Sequence, residues 1–119
     1  MTHGEGISEK RTAYRKALDE ALDRIRERLA ETPQAQKAIL FGSSASGRRD
    51  LFTDLDLVVV MRSDTGFIER NVELRRRLEA GVDMDLLVYT PEEFERMAES
   101  GFLAHVLETG RVIYEKDAA

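Results

Sequence analysis

Residues Gly42 to Leu57 read GSSASGRRDLFTDLDL, and the reading of this stretch decides the fold. Its end opens a run, Asp54 to Met61, in which Leu55, Leu57, Val59 and Met61 alternate with Asp54, Asp56, Val58 and Val60. A period of two in β-branched surroundings predicts a strand. Side chains two apart share a face, so Asp54 and Asp56 project together with α-carbons roughly 6.6–6.8 Å apart, while Leu55 and Leu57 commit the other face to the core. Just upstream, Lys37 to Phe41 (KAILF) is a short apolar run bounded by Gly42, which suits a buried strand. Between Gly42 and Thr53 no period survives, so an irregular loop joins the two strands.

On the amino-terminal side, Tyr14, Ala17, Leu18, Ala21, Leu22, Ile25 and Leu29 recur at steps of three or four. They predict an amphipathic helix from Ser8, its expected cap, to about Glu31, closed by Thr32-Pro33. On the carboxyl-terminal side, a turn cluster at Ser63 to Gly66 precedes a helix over Phe67 to Ala80, ending at Gly81. Val82 to Tyr89 (VDMDLLVY) is strand-like. Thr90-Pro91-Glu92-Glu93 has the form of a helix start, with Thr90 as cap and Glu93 closing a capping box, and Phe94 and Met97 as the expected buried side. A short helix through Phe102, Leu103, Val106 and Leu107 ends at Gly110, and Arg111 to Glu115 supplies a last strand. Residues 1–7 are expected as a flexible tail, 8–116 as a single domain and 117–119 as a second tail.

Composition narrows the function classes. The chain has 119 residues, 42% hydrophobic and 34% charged, enough apolar side chain for one core and enough charge for a solvated surface. It contains no cysteine, which excludes thiolate nucleophiles, disulfide scaffolds and sulfur-ligated metals. His3 and His105 are the only imidazoles, so a polyhistidine site is not expected. No run approaches the roughly 18 apolar residues of a membrane span and no secretory signal opens the sequence, so a cytoplasmic protein is expected. Lysine and arginine total 18 against 23 acids, a net charge of −5, which disfavours direct nucleic-acid binding as the main task.

The chemistry concentrates in the opening stretch. Alone, Asp54 and Asp56 would be read as acids solubilising an exposed strand start. They do not stand alone. Carboxylates sharing a face converge on a hard cation, and magnesium prefers a few carboxylates plus substrate phosphates to a closed protein cage. Gly42 lets backbone amides approach a phosphate to which the Ser43 hydroxyl donates, with Ser44 as a weaker contact and Arg48 or Arg49 within reach of phosphate oxygens. A third acid would complete a two-metal arrangement for in-line displacement. Asp83 and Asp85 both qualify, and spacing alone does not choose between them. GSSASGRR also half-spells a P-loop, but arginines stand where that motif needs lysine and a hydroxyl. The intervals of Asp50, Asp54 and Asp56 do not fit an EF-hand.

Gly42-Ser43, ten residues, then Asp54-Leu55-Asp56-Leu57 and a later aspartate flanked by apolar residues resembles the signature of the DNA polymerase β-like nucleotidyltransferase superfamily. It is most similar to the minimal nucleotidyltransferase (MNT) group, to which DLLVYTPEEFE from Asp85 and GRVIYE from Gly110 also correspond. Thr53 stands where serine commonly precedes the first aspartate. The resemblance implies an α+β (α/β) fold, a mixed sheet of about four strands flanked by helices. It implies that Asp54 and Asp56 ligate magnesium, with two ions expected, that Gly42, Ser43 and Ser44 hold ATP, and that Asp85 is the third acid, with Asp83 as the alternative. It further implies transfer of AMP to a hydroxyl of a partner macromolecule, as the antitoxin of a toxin–antitoxin pair with a helical HEPN-type protein. Masking of that partner without catalysis is the competing expectation. Homo-oligomer formation stays open. Tyr14, Phe67, Phe102 and Tyr114 are expected in the core, Phe52 at a base or partner contact, and Arg75 to Arg77 on a solvated helix face.

Overall fold

A computed structural model of the chain describes residues 3–42 and 55–116, with the backbone alone at 3–8 and 11. Its elements are α1 (His3–Ala30), β1 (Ala35–Phe41), β2 (Leu55–Met61), α2 (Phe67–Leu78), β3 (Met84–Tyr89), α3 (Pro91–Met97), α4 (Gly101–Thr109) and β4 (Arg111–Glu115). The sheet runs β3-β2-β1-β4. β1 pairs antiparallel with β2 and with β4, whereas β2 pairs parallel with β3. The parallel step requires a crossover, which α2 supplies. This is the mixed four-stranded α+β arrangement that the sequence implied.

The two faces of the sheet carry different loads. On one face Leu55, Leu57, Val59 and Met61 of β2 join Met84, Leu86 and Val88 of β3 beneath α1 and α2, whose Leu18, Leu22, Ile25, Leu29, Leu74 and Leu78 are buried. The alternation of β2 is thereby used in full. On the other face, Ile39 and Val58 form a smaller cluster with Leu103 and Val106 of α4, against which Phe41, Leu87, Tyr89 and Phe94 pack. Asp56 has the parity of Val58 and Asp85 that of Leu87, so both acids lie on this thinly covered face. Phe41 meets Phe102 edge-on at 5.3 Å between ring centroids.

Helicity begins at His3, five residues before Ser8. Ser8 therefore does not cap α1, and residues 3–7 continue the helix rather than forming a tail. α2 stops at Leu78 instead of running to Ala80, because Glu79 adopts a left-handed φ of 43° and its amide closes on Arg75 O. The Thr90 capping box forms as expected, with Glu93 N donating to Thr90 Oγ1 and Thr90 N to Glu93 Oε1. Met97, however, is exposed, and α3 buries no residue fully because it is short and lies over the smaller cluster. Phe67 and Phe102 are likewise rim rather than core residues, 42% and 46% exposed. Tyr14 and Tyr114 pack against the larger core.

Both lateral strands have an outward carbonyl taken up by a helix arginine. Ile113, which has no register partner on β1 at a bulge, accepts from Arg26 Nε at 3.0 Å. Met84, on the free side of β3, accepts from Arg75 Nη1.

Candidate functional site

Register places Asp56 of β2 directly beside Asp85 of β3 and opposite Phe41 of β1. Neighbouring strands lie about 4.8 Å apart, so the two carboxylates leave adjacent backbones on the same face. Gly42 follows Phe41 and turns with φ +76°. A Cβ built there would collide with Asp56 Oδ2. The carboxylate thus occupies the space a side chain would fill, and the left-handed φ independently favours glycine. Gly42, Asp56 and Asp85 are brought together at one end of the sheet, on the face that carries α4.

Asp83 lies one residue before β3, and its carbonyl accepts from Leu55 N at 3.3 Å. By the alternation of the strand it shares the Asp85 face, one turn of the pleat farther out. With Asp85, Met84, Val82, Ala80 and Arg75 it lines a cavity of about 470 Å³ at the free edge of β3. Register thus distinguishes two acids that spacing leaves equivalent: Asp85 is the one in line with Asp56. Ser43, Ser44, Arg48, Arg49, Phe52, Thr53 and Asp54 lie outside the described residues. Among the described residues no group of three potential ligands forms a closed metal site.

Two arginines go beyond the sequence reading. Arg75, expected on a solvated face, reaches over the strand edge to the carbonyl between Asp83 and Asp85 and supplies the cation of the cavity. Arg70 is 4% exposed and donates from Nε to Val88 O at 3.0 Å, from Nη1 to Thr65 O and from Nη2 to the Glu93 carboxylate. Its guanidinium also stands over the Phe67 ring at 5.5 Å. The available signal was position: Arg70 precedes Leu74 and Leu78 by steps of four on the buried stripe of α2. The hydrogen bond from Arg70, and next that from Thr90 N, hold the Glu93 carboxyl below the usual range. Burial, followed by the Glu93 charge, pushes the Tyr89 phenol up.

The family described as Polymerase beta, Nucleotidyltransferase matches residues 23–119. The chain belongs to that nucleotidyltransferase family. The matched span includes Gly42, Asp56, Asp83 and Asp85, so the acids gathered by register fall inside the family's domain. Among solved structures, a candidate nucleotidyltransferase from Sulfolobus solfataricus superposes with a TM-score of 0.62 at 16% identity, covering 91% of this chain and 88% of that one. A toxin–antitoxin solved with AMP-PNP gives a TM-score of 0.55 at 20% identity, over 81% of this chain and 74% of that one. A mutant of the toxin–antitoxin MntA-HpeT gives 0.54 at 18% identity, with the same coverages of 81% and 74%. At these identities the shared property is the polymerase β-like nucleotidyltransferase fold. No curated protein matches the sequence.

Proposed function

We propose that this nucleotidyltransferase-family protein is a magnesium-dependent enzyme that transfers AMP from ATP to a hydroxyl of a partner macromolecule in the cytoplasm. The observation that carries the proposal is the register pairing of Asp56 with Asp85 beside a side-chain-free Gly42. Oxygen donors on adjacent strands suit a hard cation, whose shell substrate phosphates would complete. Asp54, Asp56 and Asp85 would hold magnesium, two ions in the full site, which when bound neutralises phosphate charge and stabilises the entering and leaving oxygens.

The chain's own part follows from placement. Gly42 leaves its amide approachable by a phosphate, and the Ser43 and Ser44 hydroxyls donate to the triphosphate. Asp85 accepts the proton of the acceptor hydroxyl, whose oxygen attacks the α-phosphorus as the bond to pyrophosphate breaks. Asp85 is assigned this role over Asp83 because it alone is in line with Asp56. Positioning and charge stabilisation supply most of the acceleration.

The acceptor is proposed to be a helical HEPN-type toxin, for which this chain is the MNT antitoxin. Toxin–antitoxin complexes among the structures of similar fold support this pairing. The test incubates the protein with labelled ATP, magnesium and the product of the neighbouring gene. Label on that product, lost in Asp56→Asn and Asp85→Asn but kept in Asp83→Asn, is the expected result. Equal labelling by Asp56→Asn would refute the site. An Asp56→Asn protein that transfers nothing yet still neutralises the toxin in a growth assay would establish masking instead.

A further inference from the structure

We propose that a cavity between α3 and the β1–β4 side of the sheet binds a small phosphate monoester carrying an aromatic ring. It holds about 500 Å³, within the span of roughly 300–1,000 Å³ usual for small-molecule sites. Val60 has the parity of Val58, and Lys37 that of Ile39, so both stand on the face of the smaller cluster, beyond the pair that Leu103 and Val106 cover. Val60, 5% exposed, is the floor of the cavity. Pro91 and the half-buried Phe94 line it from α3, Lys37 from β1, Glu115 and Lys116 from the end of β4, and Arg62 from just after β2. Val60 follows Asp56 by four residues on β2, about 13 Å along the strand. The cavity is therefore separate from the acid pair, and the inference does not depend on nucleotide transfer.

Charge decides what fits. Lys37 is answered by Glu115 at 3.3 Å. Arg62 makes no side-chain hydrogen bond or ion pair among the described residues. Lys116 donates from Nζ to Pro33 O at 2.9 Å, a neutral acceptor that leaves its charge unanswered. Two cations thus lack a carboxylate in a chain whose net charge is −5. A phosphate monoester carries close to two negative charges at neutral pH, which balances both, and its oxygens suit the fork of a guanidinium. A carboxylate would balance one of them. Beside the cations, Val60, Pro91 and the Phe94 ring supply an apolar surface on which a second ring stacks.

Titration of isotope-labelled protein with phenyl phosphate, followed by amide NMR without divalent cations, tests the cavity. Saturable shifts are expected at Gln36, Lys37, Phe94 and Lys116, with none at Asp85. Inorganic phosphate lacks the ring and benzoate lacks the second charge, so each should bind about tenfold more weakly. Arg62→Ala should weaken phenyl phosphate about tenfold and Phe94→Leu severalfold, with circular dichroism checking that each variant keeps its fold. AMP and O-phosphotyrosine, titrated in the same way, separate the two sources of this chemistry, a mononucleotide and a phosphorylated side chain. The one that competes with phenyl phosphate at these amides is the source. Absence of saturable shifts overturns the proposal, as do shifts that survive Arg62→Ala unchanged. So does binding of inorganic phosphate or benzoate as tight as that of phenyl phosphate.

Discussion

The two ends of the β2–β3 pair are built on opposite electrostatic terms. At the start of the strands the register sets Asp56 beside Asp85, two acids on neighbouring backbones, the grouping on which the proposed site rests. At the far end, Arg70 meets Glu93 and two backbone carbonyls, so opposite charges close on each other within the core rim. The first grouping gathers acids from two strands. The second is closed and fixes α2 to the start of α3. On the proposed function, the contrast separates a part kept for a ligand from a part kept for architecture.

The largest test of the contrast is to remove one acid. Asp56→Asn should lower nucleotide transfer on the order of 10³-fold, while circular dichroism shows that the fold is kept. Unchanged transfer by this variant would remove Asp56 from the site. Removing one partner at the other end should act in reverse: Arg70→Ala should lower unfolding free energy by about 3 kcal/mol in urea titration, since Val88 O and the Glu93 carboxylate lose their donor. Gly42→Ala combines both readouts. Its left-handed φ costs on the order of 1–3 kcal/mol, and its methyl group must displace the Asp56 carboxylate, so transfer should fall beyond the loss of folded protein. A smaller effect, about 1 kcal/mol, is expected for Thr90→Ala, which removes the cap beneath Glu93.

Acid titration supplies the finest distinction. The Glu93 carboxyl is held low in the folded chain, so its contribution is present above the unfolded value and is lost as pH falls through the lowered one. Below about pH 4.3 the parent should lose stability more steeply than Glu93→Gln. Parallel curves would show that the Arg70 contact does not couple to folding.

The element order was legible because periodicity survives wherever an element has one buried face. β2 shows this best: Leu55, Leu57, Val59 and Met61 all enter the core under α1 and α2. The capping box at Thr90 was legible for a different reason, since both its hydrogen bonds form within four residues of chain. What escaped depends on distant partners. Arg70 looks like any helix arginine until Val88 and Glu93 are folded against it, and Met97 has the right spacing but no cover. Asp83 and Asp85 are indistinguishable along the chain, because only pairing with β2 assigns one of them to Asp56. The residues that would complete the site, Ser43, Ser44 and Asp54, lie outside the described part of the chain.

Arg26 at Ile113 and Arg75 at Met84 stand at the two lateral margins of the sheet. A strand from another molecule seeking to extend the ladder would find a carbonyl of each margin already taken by a guanidinium. Such margins resist templated aggregation, the hazard of any sheet that does not close on itself. Replacing both arginines with alanine should therefore show itself in shelf life and turbidity on storage before it shows in the fold.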